Sequence, residues 1–412
     1  MKVGEDRGMD SNVLFTMALG LKNEWEVKES RFEGEPKSLE LKLDFKVGVK
    51  FGCPCCGKKS PVHDTVEKRW RHLNFFQYPC ELTARVPRVD CGEHGVRQVE
   101  VPWARPGSGF TLMFEAMAML LCGQMPVAKV SEMLGVADTR LWRMLCALVE
   151  KAQAKRDWSG VRKILIDETS SRRGHRYVST FVDAENHQLL FVTEGKTAEA
   201  VKAFAEAMKE HGAKPKQIRW VGMDMSPAFI KGVETYLPQA RKVFDCFHLM
   251  QMVGKALDEV RRSLAKLNRE AFEGSRWSIL GNEWTRSEEQ QKKRRELCIQ
   301  YPKLGRAMGL RESFQNVLES KKAQDLNWWC RWASSSQLEP FQKLAKSIKA
   351  HKEGILAYFD SGITSAAIEA INGKIQLAKR IARGFRSFRY LRACAYLKCA
   401  KLDFNLPDLS PT

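Results

Sequence analysis

Three acidic residues stand where they could serve metal-dependent attack on a phosphodiester. Asp167 ends the apolar run ILID, and Asp224 ends QIRWVGMD. A carboxylate that closes a buried strand is costly unless it is paired or binds a metal. Two of them on neighbouring strand ends repel unless a divalent cation lies between. The third, Glu369, heads the stretch AAIEAINGKIQLAKRIARGFRSFRYLR, in which every other charge is positive: Lys374, Lys379, Arg380, Arg383, Arg386, Arg389 and Arg392. On a helix Glu369, Asn372, Gln376, Lys379 and Arg383 share one face, with Ile368, Ile371, Ile375 and Ala378 forming an apolar face beside it. Two strand acids and one helix acid can hold two Mg2+ (or Mn2+) ions, an arrangement suited to in-line attack on a phosphodiester. The cations farther along then suit the flanking phosphates. Each aspartate alone also fits a plainer role, capping the turn or helix that follows. Glu168 points away from Asp167 across the strand and reads as structural. Asp245, after KVF and before FHLMQMV, reads as an N-cap, with His248 one turn on; the sequence leaves open whether either assists the chemistry.

A second constellation is Cys53-Pro-Cys-Cys56-Gly paired with Cys91-Gly-Glu-His94. Tetrahedral zinc takes four N/S ligands, and two short knuckles supply two each. The expected set is Cys53, Cys56, Cys91 and His94 around one structural Zn2+, with Cys55, His63 and Cys80 as possible substitutes. A third pattern is PVAKVSEMLGVADTRLWRML. An apolar helix ends at Gly135, and a second begins near Asp138, offering Thr139, Arg140 and Arg143 to a DNA groove. A plain helical hairpin gives the same spacing; the ribbon and the basic charge beside it favour DNA.

The elements that must position these residues are legible in outline. SLELKLDFK alternates with a period of two and predicts a half-buried strand. TVEKRWRHLNFFQYPCELTARVPRV, between the knuckles, predicts two or three short strands. From Thr111 the pattern turns helical. After Asp157–Gly160 a mixed α/β run follows: ILID, HRYVSTFVD, HQLLFVTEG, a helix, QIRWVGMD, a helix opened by Ser226-Pro227, and KVFD. Residues 247 to about 358 read as almost wholly helical, with Trp277, Trp284, Trp328, Trp329 and Trp332 serving mainly as packing residues.

Length and charge bound the possibilities. A chain of 412 residues exceeds one ordinary core, so several domains are expected. Lys and Arg total 68 against 49 acids, a net charge of +19 that points to a polyanionic partner. No run of 18 apolar residues and no signal peptide is seen, so a cytoplasmic protein is expected. In a reducing compartment the 12 cysteines are metal ligands or core residues rather than disulfides, with Cys122, Cys146, Cys298 and Cys330 in helical apolar patterns.

Taken together, the CPxCG ribbon, the helix-turn-helix, IDETSSRRGHRYVSTFVD, VGMDMSPAFIKGVETYLPQARKVFDCFHLM, SSQLEPFQKLAKSIKAHKEGIL and TSAAIEAINGKIQLAKRIARGFRSFRY resemble the ISL3 family of bacterial insertion-sequence transposases. That resemblance implies an RNase H-like DDE catalytic domain whose acids are Asp167, Asp224 and Glu369. Where the family often has Asn and Gly around the Glu, this chain has Ser365 and Ala370. The implied organisation is an N-terminal arm with a strand (1–50), a zinc ribbon (51–104), a helix-turn-helix domain (105–158), the first part of the catalytic domain (159–260), a helical insertion (261–345), and the last part with the Glu-bearing basic helix (346–412). The implied activity is binding of terminal inverted repeats followed by cleavage and strand transfer, in a homodimer or larger synaptic complex on double-stranded DNA, associated with the bacterial nucleoid when bound. Asn372, Lys374, Lys379, Arg380, Arg383 and Arg386 join Thr139, Arg140 and Arg143 as expected DNA contacts. A regulator that kept the DNA readers and lost the chemistry is the alternative, and a nuclease without transfer activity a third reading.

Overall fold

The computed structural model describes residues 10–21, 24–172, 174–281 and 286–409. Trp284 and the ends of the chain lie outside them. The chain forms two compact units, one of residues 1–152, 378–397 and 402–412, the other of residues 153–377 and 398–401.

In the first unit, α1 (Ser11–Ala18) precedes a hairpin of β1 (Trp25–Glu33) and β2 (Ser38–Phe45). The alternation expected for β2 is real: Leu39, Leu41 and Leu43 are buried while their neighbours are not. Two-residue strands β3 (Phe51–Gly52) and β4 (Lys59–Ser60) form a small separate ladder. The segment read as two or three short strands is instead one long hairpin, β5 (Val62–Phe75) and β6 (Tyr78–Cys91), each of 14 residues. Leu82, Ala84 and Val86 keep one apolar face continuous through β6, so the two strands stay paired past register shifts at Val62/Asp64 and His72/Phe75. β7 (Gly95–Gln98) pairs with the end of β6, and the sheet runs β1-β2-β6-β5.

Three helices follow: α2 (Leu112–Gln124), α3 (Val127–Leu134) and α4 (Asp138–Ala154). Thr111 caps α2, its Oγ1 accepting the Phe114 N–H at 3.3 Å. Between α3 and α4 the chain turns at Gly135, whose φ of 62° is a left-handed conformation that favours glycine. Buried Val130, Leu134, Val136 and Leu141 close the corner.

The second unit is built on a five-stranded sheet ordered β10-β9-β8-β11-β12. β8 (Lys163–Arg172), β9 (Arg176–Asp183) and β10 (Gln188–Glu194) form an antiparallel meander, while β11 (Trp220–Met223) and β12 (Arg241–Phe244) extend β8 in parallel. The connections are α5 (Ala198–Glu210) and α6 (Pro227–Tyr236). The central strands have buried apolar runs because both faces are covered. Gly222 has no room for more: a Cβ there would meet Leu165 at 2.6 Å and Ile363 at 3.0 Å.

A run of helices follows β12: α7 (Cys246–Ala265), α8 (Arg276–Leu280), α9 (Glu288–Gln300), α10 (Pro302–Ser320), α11 (Ala323–Ser335), α12 (Glu339–Ala350) and α13 (Lys352–Ser361). Trp329 is fully buried and donates its indole N–H to Leu310 O at 2.8 Å, whereas Trp277 and Trp328 are exposed. The chain ends with α14 (Ala366–Ile381) and α15 (Phe388–Cys399). In the first unit Tyr390 of α15 stacks flat on Trp142 of α4, the rings 4.1 Å apart.

Candidate functional site

The strand register sets three aspartates side by side. Gly222 pairs with Leu165, and two residues on from each stand Asp224 and Asp167. Met223 pairs with Phe244, and the next residues are Asp224 and Asp245. Three adjacent parallel strands thus deliver acids at one level, and all three line one cleft with His248 and Ser365.

Each acid is held differently. Asp167 Oδ1 accepts the Glu168 N–H at 2.7 Å and Oδ2 accepts the Asn372 amide at 2.8 Å. Burial nevertheless pushes its carboxyl up to about 6; those hydrogen bonds and the field of His248 oppose the rise, and the Asp224 charge adds to it. Asp224 Oδ1 accepts the Ser226 N–H at 3.0 Å, so one of its oxygens does cap the turn into α6. Asp245 occupies the N-cap position of α7 but makes no side-chain cap bond. Its Oδ2 instead pairs with His248 Nδ1 at 3.0 Å, and its buried Oδ1 has no hydrogen-bond partner. Burial works to raise the Asp245 carboxyl, but His248, the nearby Ser365 hydroxyl and the Phe247 amide outweigh it and hold it below the usual carboxylate range. The Asp245 hydrogen bond in turn raises His248.

Helix α14 is fastened over this sheet by amides. Asn372 Oδ1 accepts the Thr180 hydroxyl at 3.0 Å, and Gln376 Nε2 donates to Thr169 Oγ1 at 2.6 Å and Ser170 O at 2.8 Å. Ile368, Ile371 and Ile375 are buried beneath it, the docking face expected from their spacing. Glu369, one turn before Asn372, is exposed and accepts the Ser365 hydroxyl. The acid oxygens of Asp167, Asp224 and Glu369 do not all three gather within 4.8 Å of one another in this structure. Glu168 faces away from Asp167 and pairs with Lys196 at 3.1 Å, as its place on the strand requires.

Several expected DNA contacts have other placements. Asn372 is only 8% exposed, and both its amide atoms are used inside the protein, so it is a strut rather than a surface contact. Arg383 does not continue the helical face. α14 stops at Ile381, and the left-handed backbone of Arg383 (φ 55°) turns the chain before Gly384. Arg386 lies 3.8 Å from Asp138 at the start of α4. Arg389 grips Glu150 with two bonds of 2.9 and 3.0 Å, and Arg392 approaches the same carboxylate at 3.9 Å. Lys374 and Arg380 are exposed, and Lys379 is half-buried. On α4, Thr139, Arg140 and Arg143 are exposed, with the Arg140 guanidinium 4.7 Å from the centre of the Phe110 ring. These long-range ion pairs left no local signal, since Glu150 and Arg389 lie far apart in the sequence.

The four sulfur and nitrogen ligands do converge. Cys53, Cys56, Cys91 and His94 place one donor atom each within 4.8 Å of the others, and no other such group occurs among the described residues. Cys56 Sγ is 3.7 Å from Cys91 Sγ, Cys91 Sγ is 3.5 Å from His94 Nδ1, and Cys53 Sγ is 4.0 Å from His94 Nδ1. Zn–S bonds of about 2.3 Å in a tetrahedron imply edges of about 3.8 Å, so the donors fit zinc as they stand. Each knuckle is closed by its own backbone: Gly57 N–H to Cys53 O at 2.8 Å, and His94 N–H to Cys91 O at 3.0 Å. The hydrogen bond from His94 lowers the Cys91 thiol to about 6, toward the thiolate a metal requires. The substitutes fall away: Cys55 is exposed and outside the cluster, His63 lies outside it, and Cys80 is buried with its thiol pushed up to about 11 by desolvation.

A zinc-ligand cluster, a helix-turn-helix and a mixed sheet carrying aligned acids are the parts of a transposase of the DDE class. Family models match the three parts in order: a zinc finger of transposases IS204/IS1001/IS1096/IS1165 over residues 50–94, a helix-turn-helix domain of transposase family ISL3 over residues 99–149, and an ISL3-type DDE transposase domain over residues 164–395. The chain belongs to the ISL3 family of transposases. It is 29% identical to the transposase for insertion sequence element IS1557 of Mycobacterium tuberculosis, in two strains, over 96% of this chain and 97% of that relative. It is 26% identical to the transposase for insertion sequence element IS1001 of Bordetella parapertussis, over 87% of this chain and 90% of the relative. Among the described residues no helix is long and apolar enough to cross a membrane.

Proposed function

We propose that this transposase binds the terminal inverted repeats of its own insertion sequence and carries out metal-dependent DNA strand cleavage and strand transfer. The observation that carries this reading is the alignment of Asp167 and Asp224 on adjacent parallel strands, with the Glu369-bearing helix tied to Asp167 through Asn372. The sheet, with its antiparallel meander extended by two parallel strands, suits an RNase H-like core, and the helices after β12 suit an insertion ahead of the last acid.

Asp167, Asp224 and Glu369 are the residues that would hold Mg2+ or Mn2+. The buried and mutually repelling acids favour a cation, and Glu369 completes the set if α14 or its side chain moves in when DNA arrives. Such ions supply a lowered pKa for an attacking water or 3′-OH and charge neutralisation at the leaving oxygen. The chain's own contribution is orientation: Asn372 fixes Oδ2 of Asp167, and the Glu168 amide fixes Oδ1. Thr139, Arg140 and Arg143 would face a DNA groove, and Lys374, Lys379, Arg380, Arg383 and Arg386 the backbone, with the zinc ribbon aiding recognition of the repeat. Bringing two element ends together calls for a homodimer or larger assembly, acting on nucleoid DNA.

The test is cleavage of a duplex carrying the element's end, with Mg2+. The wild type should cut, while Asp167→Asn should bind the end equally well and not cut. End binding by the wild type with no cutting at all would instead favour a DNA-binding regulator.

A further inference from the structure

The cleft that holds the aligned acids contains one further polar pair, Asp245 and His248, which neither capping nor core packing explains. A carboxylate at a helix N-terminus normally accepts the first free N–H groups of that helix. Asp245 has this position, yet the Phe247 amide only favours its charge without making a cap bond, and Oδ2 pairs instead with His248 Nδ1 at 3.0 Å. The carboxylate is 7% exposed and its Oδ1 has no hydrogen-bond partner, so a buried charge is spent on orienting a ring. His248 is only half-buried and lines the cleft. With Nδ1 committed to Asp245, its other ring nitrogen is the one left for a ligand.

The composition of the cleft says which ligand. Its polar lining is Asp167, Asp224, Asp245, Thr364, Ser365 and His248, and His248 is the one member that can carry positive charge. A DNA strand entering here brings a phosphate toward three carboxylates. Cations held by the acids offset part of that repulsion; among the side chains lining the cleft, only the imidazole can offer a charge-assisted hydrogen bond to a phosphate oxygen.

We propose that His248 contacts a non-bridging oxygen of the scissile phosphate through its Nε2, and that Asp245 is the residue that positions it. This rests on the reading that the cleft cuts DNA. His248 is thereby a catalytic residue outside the Asp167, Asp224 and Glu369 set, and Asp245 a positioning residue.

The experiment compares wild type, Asp167→Asn, His248→Ala, His248→Gln and Asp245→Asn on an end-containing duplex with Mg2+, measuring end binding and single-turnover cutting with and without added imidazole. Loss of one preorganised donor to a transition state costs on the order of a hundredfold. The expected result is a loss of that size in His248→Ala with end binding kept, partial recovery by imidazole, and a smaller loss in Asp245→Asn that imidazole does not recover. If wild type cuts, Asp167→Asn does not, and His248→Ala stays within threefold of wild type, the inference is overturned while the active-site reading stands. Loss of cutting in His248→Ala that imidazole cannot restore assigns the residue a structural role and also overturns it. Should His248→Ala fail to fold, His248→Gln, which keeps a donor toward Asp245, is judged by the same threefold limit. A wild type that never cuts overturns both readings.

Discussion

Asn372 on α14 donates its side-chain amide to Asp167 Oδ2 at 2.8 Å and accepts the Thr180 hydroxyl on its own carbonyl oxygen at 3.0 Å. One buried side chain thereby joins the helix that carries Glu369 to two strands of the sheet. Second partners of metal-binding carboxylates typically matter by ten- to a hundredfold. Asn372→Ala should therefore slow cutting by about that factor in a single-turnover assay and leave end binding intact. Asn372→Asp should be worse, since it sets a second carboxylate against Asp167 in a buried place. Full cutting by Asn372→Ala would show that Asp167 is positioned without this strut.

The Asp167 carboxyl, raised to about 6 chiefly by burial, makes a statement about stability in the absence of metal. A raised carboxyl binds its proton more tightly when folded than when unfolded. Its stabilising contribution is complete below the unfolded value near 4 and disappears as pH rises through about 6. In chelator, wild type should lose about 2 kcal/mol relative to Asp167→Asn between pH 4 and pH 7. Thermal melting of the two proteins across that range measures it, and Mg2+ or Mn2+ should narrow the gap at pH 7. Parallel melting curves at every pH would mean that Asp167 is better solvated than its surroundings imply.

The Cys53, Cys56, Cys91 and His94 cluster should hold one zinc per chain, measurable by elemental analysis of the purified protein. Its knuckles rest on two small ladders, β3–β4 and β6–β7, of which β7 is exposed throughout. Removing the metal or making Cys53→Ser should loosen this end of the first unit and weaken end binding by at least tenfold. Cys55→Ser should keep both the zinc and the binding, because its thiol lies outside the cluster.

The sheet of the second unit was readable because buried strands announce themselves as apolar runs ending in polar residues: ILID, QIRWVGMD and KVFD became three neighbouring parallel strands. The metal-ligand knuckles and the Gly135 turn were readable for a similar reason, since both depend on residues a few positions apart. What escaped depends on partners remote in sequence. No local pattern tells that Asn372 turns inward to Asp167, or that Arg389 is taken by Glu150. Asp245 is a different case: His248 stands only three residues on, so the sequence allowed both a cap and this pair, and the side-chain geometry decides for His248. The length of β5 and β6 was hidden because Asn74–Gln77 and the prolines look like repeated turn signals, whereas the apolar face of β6 runs straight through.

That same concealment of charge yields a last expectation. Arg389 and Arg392 both reach Glu150, and Arg386 approaches Asp138, so part of the basic C-terminal stretch is neutralised within the first unit. Exposed ion pairs of this kind contribute at most about 1 kcal/mol to stability, and the Trp142–Tyr390 stack remains to hold α15 on α4 when one is removed. Glu150→Gln should therefore fold and melt nearly as wild type does. If the α4 surface meets DNA, the two freed guanidiniums add phosphate contacts. Affinity for any duplex should then rise at low salt, and the slope of log affinity against log salt should steepen by about one to two. Preference for the element's own end should shrink, because the added attraction is blind to sequence. An unchanged salt slope would place Glu150 and Arg389 away from the DNA path and leave their pairing a purely structural clasp on α15.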